Sequence, residues 1–502
     1  MRDSLDPSTA DPRKAFLLAN VYPSDPREAA ATVGRPGFQQ SGDVLTAHKV
    51  QGIAQYTKLD GTEITLAFVN GGMYRFTWTT RTWSNVVLVG VTLSTTNPVY
   101  GVNFANTLVV SDGVNTPFTW DGTTFVSLTN APVFYGKPTV YYAKLFGIQA
   151  SDRTTMMWSE ENDPTTGYAS GGFNNAWQLG QTDQEALTAL VGTNDALFYF
   201  RARSSGYISG AVNTDFVSSG TREGVDETIG TVSPGAVVYY ERKVYFLSAD
   251  GRPYAIILGG GLQPLWQDLR ETLATVARDA LSLSLGVADP LTEMVLLGIP
   301  VQAQTAPETF AAIDTRTQFI GGLWNGFQPT ALALVKDDNL VPRIMHGTVN
   351  GYVYDHGDPD GTLWQDANST ADGGTLPIQH AVQGTPLGFD LKYEKVFDRI
   401  DISERLTTDL TTVQVDYETP RGISTAQSLN FSAAGTFAQW DIAVWDVDFW
   451  APDELERHFS LGLSGRGRWI MLRIRHSYGT ERFGLVGWQV TSFMDAADPG
   501  IP

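Results

Sequence analysis

Residues 64–83 read ITLAFVNGGMYRFTWTTRTW: an apolar run, a turn, and a second run closed by aromatics. In Val69-Asn70-Gly71-Gly72 the Asn and Gly residues tolerate positive φ, which a two-residue hairpin turn needs. The same pattern is written again downstream. Residues 107–128 (TLVVSDGVNTPFTWDGTTFVSL) give an apolar strand, an Asp112-Gly113 turn, a strand ending in Trp120, and an Asp121-Gly122 turn. Residues 144–158, 196–210, 243–258 (with Asp250-Gly251), 293–324 and 341–355 (with Asn350-Gly351) repeat it. One matching apolar residue per copy gives Leu66, Val109, Phe146, Phe198, Tyr245, Leu296 and Ile344. The gaps between them run from about 37 to about 52 residues, which is the recurrence of four-stranded propeller blades. The expected fold is therefore all-β: a β-propeller of six to eight blades, seven favoured, with insertions between blades admitted. A series of sandwiches is the rival; a β-helix would repeat at a shorter period. The aromatics Tyr74, Phe76, Trp78 and Trp83 are expected to pack between blades.

Composition agrees with a turn-rich β protein. There are 50 glycines, abundant aromatics and 18% charged residues. At 502 residues the chain exceeds one small core. It has no cysteine, which excludes a disulfide framework, thiolate metal sites and a Cys nucleophile. The net charge of −20 argues against gripping nucleic acid through its phosphates and suits a surface that keeps a large protein soluble. Residues 1–16 are charged and lack the apolar run of a secretory signal. No stretch approaches the ~20 apolar residues of a membrane helix.

The expected organisation is an extended arm over 1–43, the propeller over 44–360, a polar linker over 361–377, an antiparallel β-sandwich over 378–494, and a tail over 495–502. The arm is interrupted by Pro7, Pro12, Pro23, Pro26 and Pro36, and residues 16–22 are the one edge strand expected in it. Within the sandwich, Ile470, Leu472 and Ile474 alternate with Met471, Arg473 and Arg475, the pattern of a strand with one buried face. One helix is expected over 263–285, where Leu265, Leu269, Leu273, Val276, Ala280 and Leu283 recur at three or four residues. Residues 162–182 and 214–235 read as long surface loops.

Catalytic chemistry is sought and not found. Asp355, His356, Asp358 and Asp360 are close enough for oxygen ligation of calcium. Their spacing is not that of an EF-hand and no Glu closes it; Asp in a Gly-rich turn is ordinary turn chemistry. Asp355, Asp358 and Asp360 are the metal candidates, and no cofactor is assigned. Ser111-Asp112-Gly113 and Ser248-Ala249-Asp250-Gly251 only approximate the S-x-D-x-G-x-T-W turns of sialidase-type propellers. The six histidines (His48, His346, His356, His380, His458, His476) form no H-E-x-x-H, and Gly259-Gly260-Gly261 lacks the Lys of a phosphate loop. Arg466, Arg468, Arg473 and Arg475, with Trp469, read as a subunit or partner contact. The chain is not expected to be an enzyme.

Taken together, residues 19–38 (ANVYPSDPREAAATVGRPGF), 221–234 (TREGVDETIGTVSP), 243–255 (KVYFLSADGRPYA) and the K-x-F of Lys395 to Phe397 carry a resemblance. In their order along the chain it resembles the tail hub or nozzle proteins of short-tailed bacteriophages, including those described as stabilising packaged DNA. The resemblance implies a virion structural protein: a homo-oligomer of six copies ringed around the DNA channel. It implies docking under the adaptor that follows the portal, contacts to tail fibres or spikes, and passage of double-stranded DNA without sequence-specific binding. Assembly in the host bacterial cytoplasm is implied as well, and no catalytic residue transfers. The alternative expectation is a propeller that binds or cleaves host-surface glycans.

Overall fold

The computed structural model describes residues 15–23, 32–168, 175–179, 184–210, 220–259, 261–265, 269–301, 307–357, 365–367, 375–377, 380–384, 395–405, 411–424, 427–431, 456–476 and 484–494. They divide into two bodies. One is Gln39–Ile320 with Gly326–His356; the other is Met1–Phe38 with Gly321–Asn325 and Gly357–Pro502.

The first body is a seven-bladed β-propeller. Blade 1 is Val50–Thr57, Glu63–Val69, Gly72–Thr77 and Thr82–Val86; blade 2 is Tyr100–Phe104, Thr107–Ser111, Phe118–Trp120 and Phe125–Ser127. Blade 3 is Phe134–Tyr141, Lys144–Gln149, Thr155–Trp158 and Ala176–Gln178; blade 4 is Leu187–Gly192, Ala196–Arg201, Ser205–Ser209 and Thr221–Asp226. Blade 5 is Val237–Tyr240, Lys243–Leu247, Pro253–Ile257 and Gly261–Pro264; blade 6 is Gly286–Asp289, Met294–Ile299, Thr309–Asp314 and Phe319–Trp324. Blade 7 is Ala331–Lys336, Pro342–Gly347 and Val353–His356, and its fourth strand is Phe38–Gln40 from the other end of the chain. Each innermost strand packs on that of the next blade, and blade 7 packs on blade 1, so the ring is closed.

The seven repeat residues all fall on the second strand of their blade, and all are buried. That strand has a neighbour on both edges and a blade on both faces. Its side chains therefore read as continuous apolar runs and not as an alternation; in Met294–Ile299 every residue is buried. The stretch 64–83 supplies strands two and three of blade 1 and the start of strand four. Its turn residues Asn70 (φ 49°) and Gly71 (φ 73°) are both left-handed, as a primed two-residue hairpin requires. Phe76, Tyr74, Trp78 and Trp83 join the core shared with Val335, Met345 and Val353 of blade 7, so they pack between blades.

The single helix read over 263–285 is not formed. Residues Gly261–Pro264 are a strand, Arg270–Ala274 is one short α-helix, and Arg278–Leu283 is a 3-10 helix. Leu262 and Gln263 pair with Ile256 and Ala255 to complete blade 5, and Val276 bridges Val301. Sheet pairing at the start of the segment and near its middle overrides its helical period.

The second body is a sandwich of two antiparallel sheets. One contains His380–Gly384, Met471–His476, Thr411–Thr419 and Gln427–Phe431, with Ala15–Ala19 beside His380–Gly384. The other runs Val21–Pro23, Thr32–Gly34, Gly484–Met494, Lys395–Arg405, Glu456–Gly467. The shared core includes Val21, Val382, Phe397, Ile400, Val415, Leu472 and Ile474. Ile470, Leu472 and Ile474 point inward and Met471, Arg473 and Arg475 outward, the alternation read from the sequence. Residues of the expected arm thus form strands of this body, and the expected linker holds the strands Gln365–Ala367 and Thr375–Pro377.

Candidate functional site

Of the metal candidates, Asp358 and Asp360 lie outside the described residues. Asp355 ends blade 7 and is buried. Its carboxylate accepts hydrogen bonds from Ser41 Oγ at 2.8 Å and Gln39 Nε2 at 3.2 Å. It also forms an ion pair with Arg81 of blade 1 at 2.5 Å. Arg81 additionally donates to the carbonyl of Gln40. These contacts tie the fourth strand of blade 7 to blade 1, so Asp355 belongs to a clasp that holds the ring shut. A calcium ion there would displace a guanidinium and a hydroxyl. Beside it, His356 Nε2 lies 3.0 Å from His346 Nδ1, and both rings pack on Phe327. Among the described residues no group of three or more His, Asp or Glu side chains is arranged to hold a metal.

The remaining ring aspartates are turn-makers. Asp112 accepts from the N–H groups of Val114, Asn115 and Ser94. Burial pushes its carboxyl up, but those bonds and the Asn115 side chain win and hold it below the usual range. Asp121 caps Thr123 and Thr124, Asp152 caps Thr154 and Thr155, and Asp163 caps Thr165 and Thr166. All three are held below the usual carboxylate range by these turn hydrogen bonds. The Asp112-Gly113 site that approximates a sialidase turn is therefore hairpin chemistry, and Asp250 of the other is held by Ser248 and Arg252 within its own turn.

A shallow cavity of about 390 Å³ lies at the hairpin turns of blades 1 and 2, lined by Tyr56, Lys58, Leu59, Asp60, Asn106 and Asp121. Tyr56 donates to the Asn106 carbonyl at 2.7 Å. Asp60 is held low by hydrogen bonds from Thr62, as Asp121 is by Thr124 and Thr123. A glycosidase general acid needs a carboxyl pushed the other way, so this cavity does not supply one. Burial does push Asp366 upward against the pull of Arg35, but that carboxyl is locked in an ion pair.

Arg35, from the R-P-G of residues 35–37, is fully buried. Its Nε donates to Asn20 Oδ1 at 3.0 Å. One terminal nitrogen donates to the Pro36 carbonyl at 3.0 Å and Asp366 Oδ1 at 2.9 Å. The other donates to the Asn325 carbonyl at 2.8 Å and Asp366 Oδ2 at 2.5 Å. All five N–H groups of the guanidinium are thereby used. Asn20 in turn accepts from the Asn325 N–H at 2.8 Å. Nothing local in the sequence signals this role, because Asp366 is 331 residues away.

The arginine group of the C-terminal region is partly internal. Arg473 and Arg475 both pair with the buried Asp416 of the neighbouring strand. Arg466 and Arg468 are exposed. Gly259 and Gly261 both have positive φ, the geometry of a turn leading into the last strand of blade 5.

No family model matches the chain, and no curated protein matches it. Among solved structures it is similar to BamB from Moraxella catarrhalis, at 11% identity and a TM-score of 0.40, covering 68% of this chain and 92% of that one. It is similar to PorZ, a bacterial surface component of the type-IX secretion system of Porphyromonas gingivalis, at 9% identity and a TM-score of 0.38, covering 72% of this chain and 44% of that one. The WD40 domain of Neurospora crassa Pan2 aligns at 7% identity and a TM-score of 0.39, over 65% of this chain and 97% of that one. Likeness this low carries neither an activity nor a partner to this chain.

Proposed function

We propose that the chain is a structural subunit of a bacteriophage tail. Six copies form a hub or nozzle around the DNA channel, retain packaged DNA and conduct it on ejection. The observation that carries this reading is the fate of residues 19–38, the first block of the resemblance. Asn20, Val21 and Arg35 are all buried and all architectural. A motif devoted to holding segments together is what an assembly protein needs and what an enzyme's signature does not look like. The acidic net charge of −20 also suits a wall past which DNA slides without being held. The reading assigns the adaptor beneath the portal, and fibres or spikes, as neighbours.

Native mass spectrometry of the purified protein and proteomics of particles test this. A six-fold assembly and presence in particles are expected; a monomer absent from particles overturns it. The rival, a propeller acting on host-surface glycans, predicts polysaccharide digestion that one carboxylate substitution abolishes.

A further inference from the structure

The innermost strands of the seven blades are almost without charge. Their residues include three charged side chains, those of Lys137, Asp289 and Lys336. Asp289 is buried and accepts hydrogen bonds from the Leu291 N–H at 3.0 Å and the Thr292 hydroxyl at 2.6 Å. Lys336 lies 3.8 Å from the carboxylate of Glu63. Lys137 makes no hydrogen bond or ion pair among the described residues.

On the inner strand of blade 3, Tyr135 pairs with Ile148 and Thr139 with Phe146, so Gly136, Lys137 and Pro138 all stand opposite Gly147. Such a bulge bends its strand and re-aims the side chains on it. Gly136 takes φ +70°, and a Cβ there would lie 2.9 Å from Pro234 Cβ, so the bulge packs directly on the 3-10 turn Pro234–Ala236. That turn also touches the inner strands of blades 4 and 6, and so reaches over the end of the axis at which the inner strands begin. Lys137 is exposed to solvent, yet burial among the surrounding blades lowers its ammonium below the usual value. A group that water reaches and protein surrounds lies in a well. The same end holds further cations and donors. Lys49, directly before the inner strand of blade 1, is lowered by burial as well. Arg153 places its guanidinium 3.7 Å from the centre of the Tyr135 ring. Tyr100, which opens the inner strand of blade 2, is pushed up by burial and then by Tyr135, so its hydroxyl stays a donor. The turn carboxylates at that end are engaged: Asp112 by Asn115, Asp152 by Thr154 and Thr155, Glu185 by Arg201, and Asp250 by Arg252.

We propose that the well around Lys137 binds a small oxyanion, a phosphate or a carboxylate, which enters at the propeller axis and serves as counter-ion to the ammonium. Lysine meets such a group as a point charge with three donors. The enclosing blades strengthen the attraction, because less water screens it. In a chain of net charge −20 the surface at large repels anions, so an unpaired ammonium held inside the ring selects for an anion at that place. The ligand is small because the bulge that carries Lys137 is packed against Pro234–Ala236. The site belongs to the axis of each single propeller, and it stands whatever the chain assembles with.

Isothermal titration of the full chain with inorganic phosphate and, separately, with malonate tests this at pH 7.5 and constant ionic strength. At least one of the two is expected to bind, and which one does identifies the chemistry the site takes. Lys137→Met is expected to weaken that binding at least about tenfold, the worth of one charge-assisted hydrogen bond. Lys243→Met, at the opposite end of blade 5, is expected to leave it unchanged. If Lys137→Met does not fold, amine acetylation of the unmodified chain, read by mass spectrometry, replaces it: the bound anion should slow acetylation of Lys137 and not that of Lys243. Binding of neither anion, binding that Lys137→Met leaves intact, or acetylation of Lys137 that the bound anion does not slow overturns the proposal.

Discussion

The propeller and the second body are both antiparallel β structures, yet they close their cores over very different stretches of chain. Blade 1 takes all four strands from Val50 to Val86, and its turns are stabilised by neighbours in sequence. In the second body, Ala15–Ala19 lies beside His380–Gly384, and Thr32–Gly34 pairs with Gly484–Met494. The polar chemistry follows the same division. Ring aspartates at the turns, such as Asp121, Asp152 and Asp163, bond to residues two and three positions on, with Asp355 at the seam the exception, whereas the second body rests on an ion pair spanning 331 residues. Closing a long loop costs entropy before any contact offsets it. The long-range body therefore concentrates its polar bonding on one saturated arginine, and the ring spreads it over many local turns.

The sharpest way to break that contrast is Arg35→Ala. Asp366 is left buried without its cation, and breaking a buried pair of this kind costs about 3–5 kcal/mol. Arg35→Lys is expected to fare little better, because an ammonium cannot reproduce the planar fork that meets Asp366. Denaturant unfolding followed by tryptophan fluorescence should show the loss. Proteolysis should cut first in the second body while the blades persist. If blades 2 to 4 become labile at the same denaturant concentration, the two bodies are one cooperative unit and the contrast fails.

What could be read from the sequence follows the same line. Blades were legible because each is a local sentence, and the seven second-strand residues Leu66 to Ile344 could be aligned without any partner strand. The hairpins Ala105-Asn106, Tyr142-Ala143 and Glu241-Arg242 were not. All six residues have positive φ, and apart from Asn106 none is a residue type that signals it. Tertiary pairing imposes these turns. The clasp at Asp355 and the Arg35 site were illegible for a different reason: each joins segments that only the folded ring and sandwich bring together. An acidic, Gly-rich string around Asp355 looks the same whether it meets a cation from solvent or Arg81.

A second test acts on the ring itself. Gly351 has φ +83°, and a Cβ there would lie 1.7 Å from the Thr46 carbonyl oxygen. Gly351→Ala combines left-handed strain with overpacking at the blade 7 to blade 1 seam, an expected cost of about 2–4 kcal/mol. Gly90, with φ +72° and open space where its Cβ would stand, is the control: Gly90→Ala carries the strain alone. Equal losses in thermal unfolding would show that the seam is not tightly closed. Trp78→Ala comes next. Trp78 is half-buried, meets Phe76 edge-on with centroids 5.0 Å apart, and donates to Thr65 Oγ1 at 3.3 Å. Partial burial lowers the expected cost to about 2 kcal/mol, below that of a fully enclosed aromatic. An unchanged melting temperature would remove Trp78 from the packing between blades 7 and 1.

The smallest effect is expected at Asp355, where the clasp and metal readings separate. Arg81 is about a third exposed (side chain 35%) while Asp355 is buried, so solvent screens the pair and Asp355→Asn should cost about 1–2 kcal/mol. Asn keeps one oxygen to accept from Ser41 and loses the charge that holds Arg81. Calcium distinguishes the readings, because a ligand bound only by the folded state raises stability in proportion to the logarithm of its concentration. With Asp355 engaged by Arg81, Ser41 and Gln39, millimolar calcium should leave the melting temperature of the unmodified protein unchanged, and the Asn variant's deficit should be the same with and without it. A calcium-dependent rise that disappears in the Asn variant would mean that the cation displaces Arg81, and that the carboxylate serves a metal site as well as the seam.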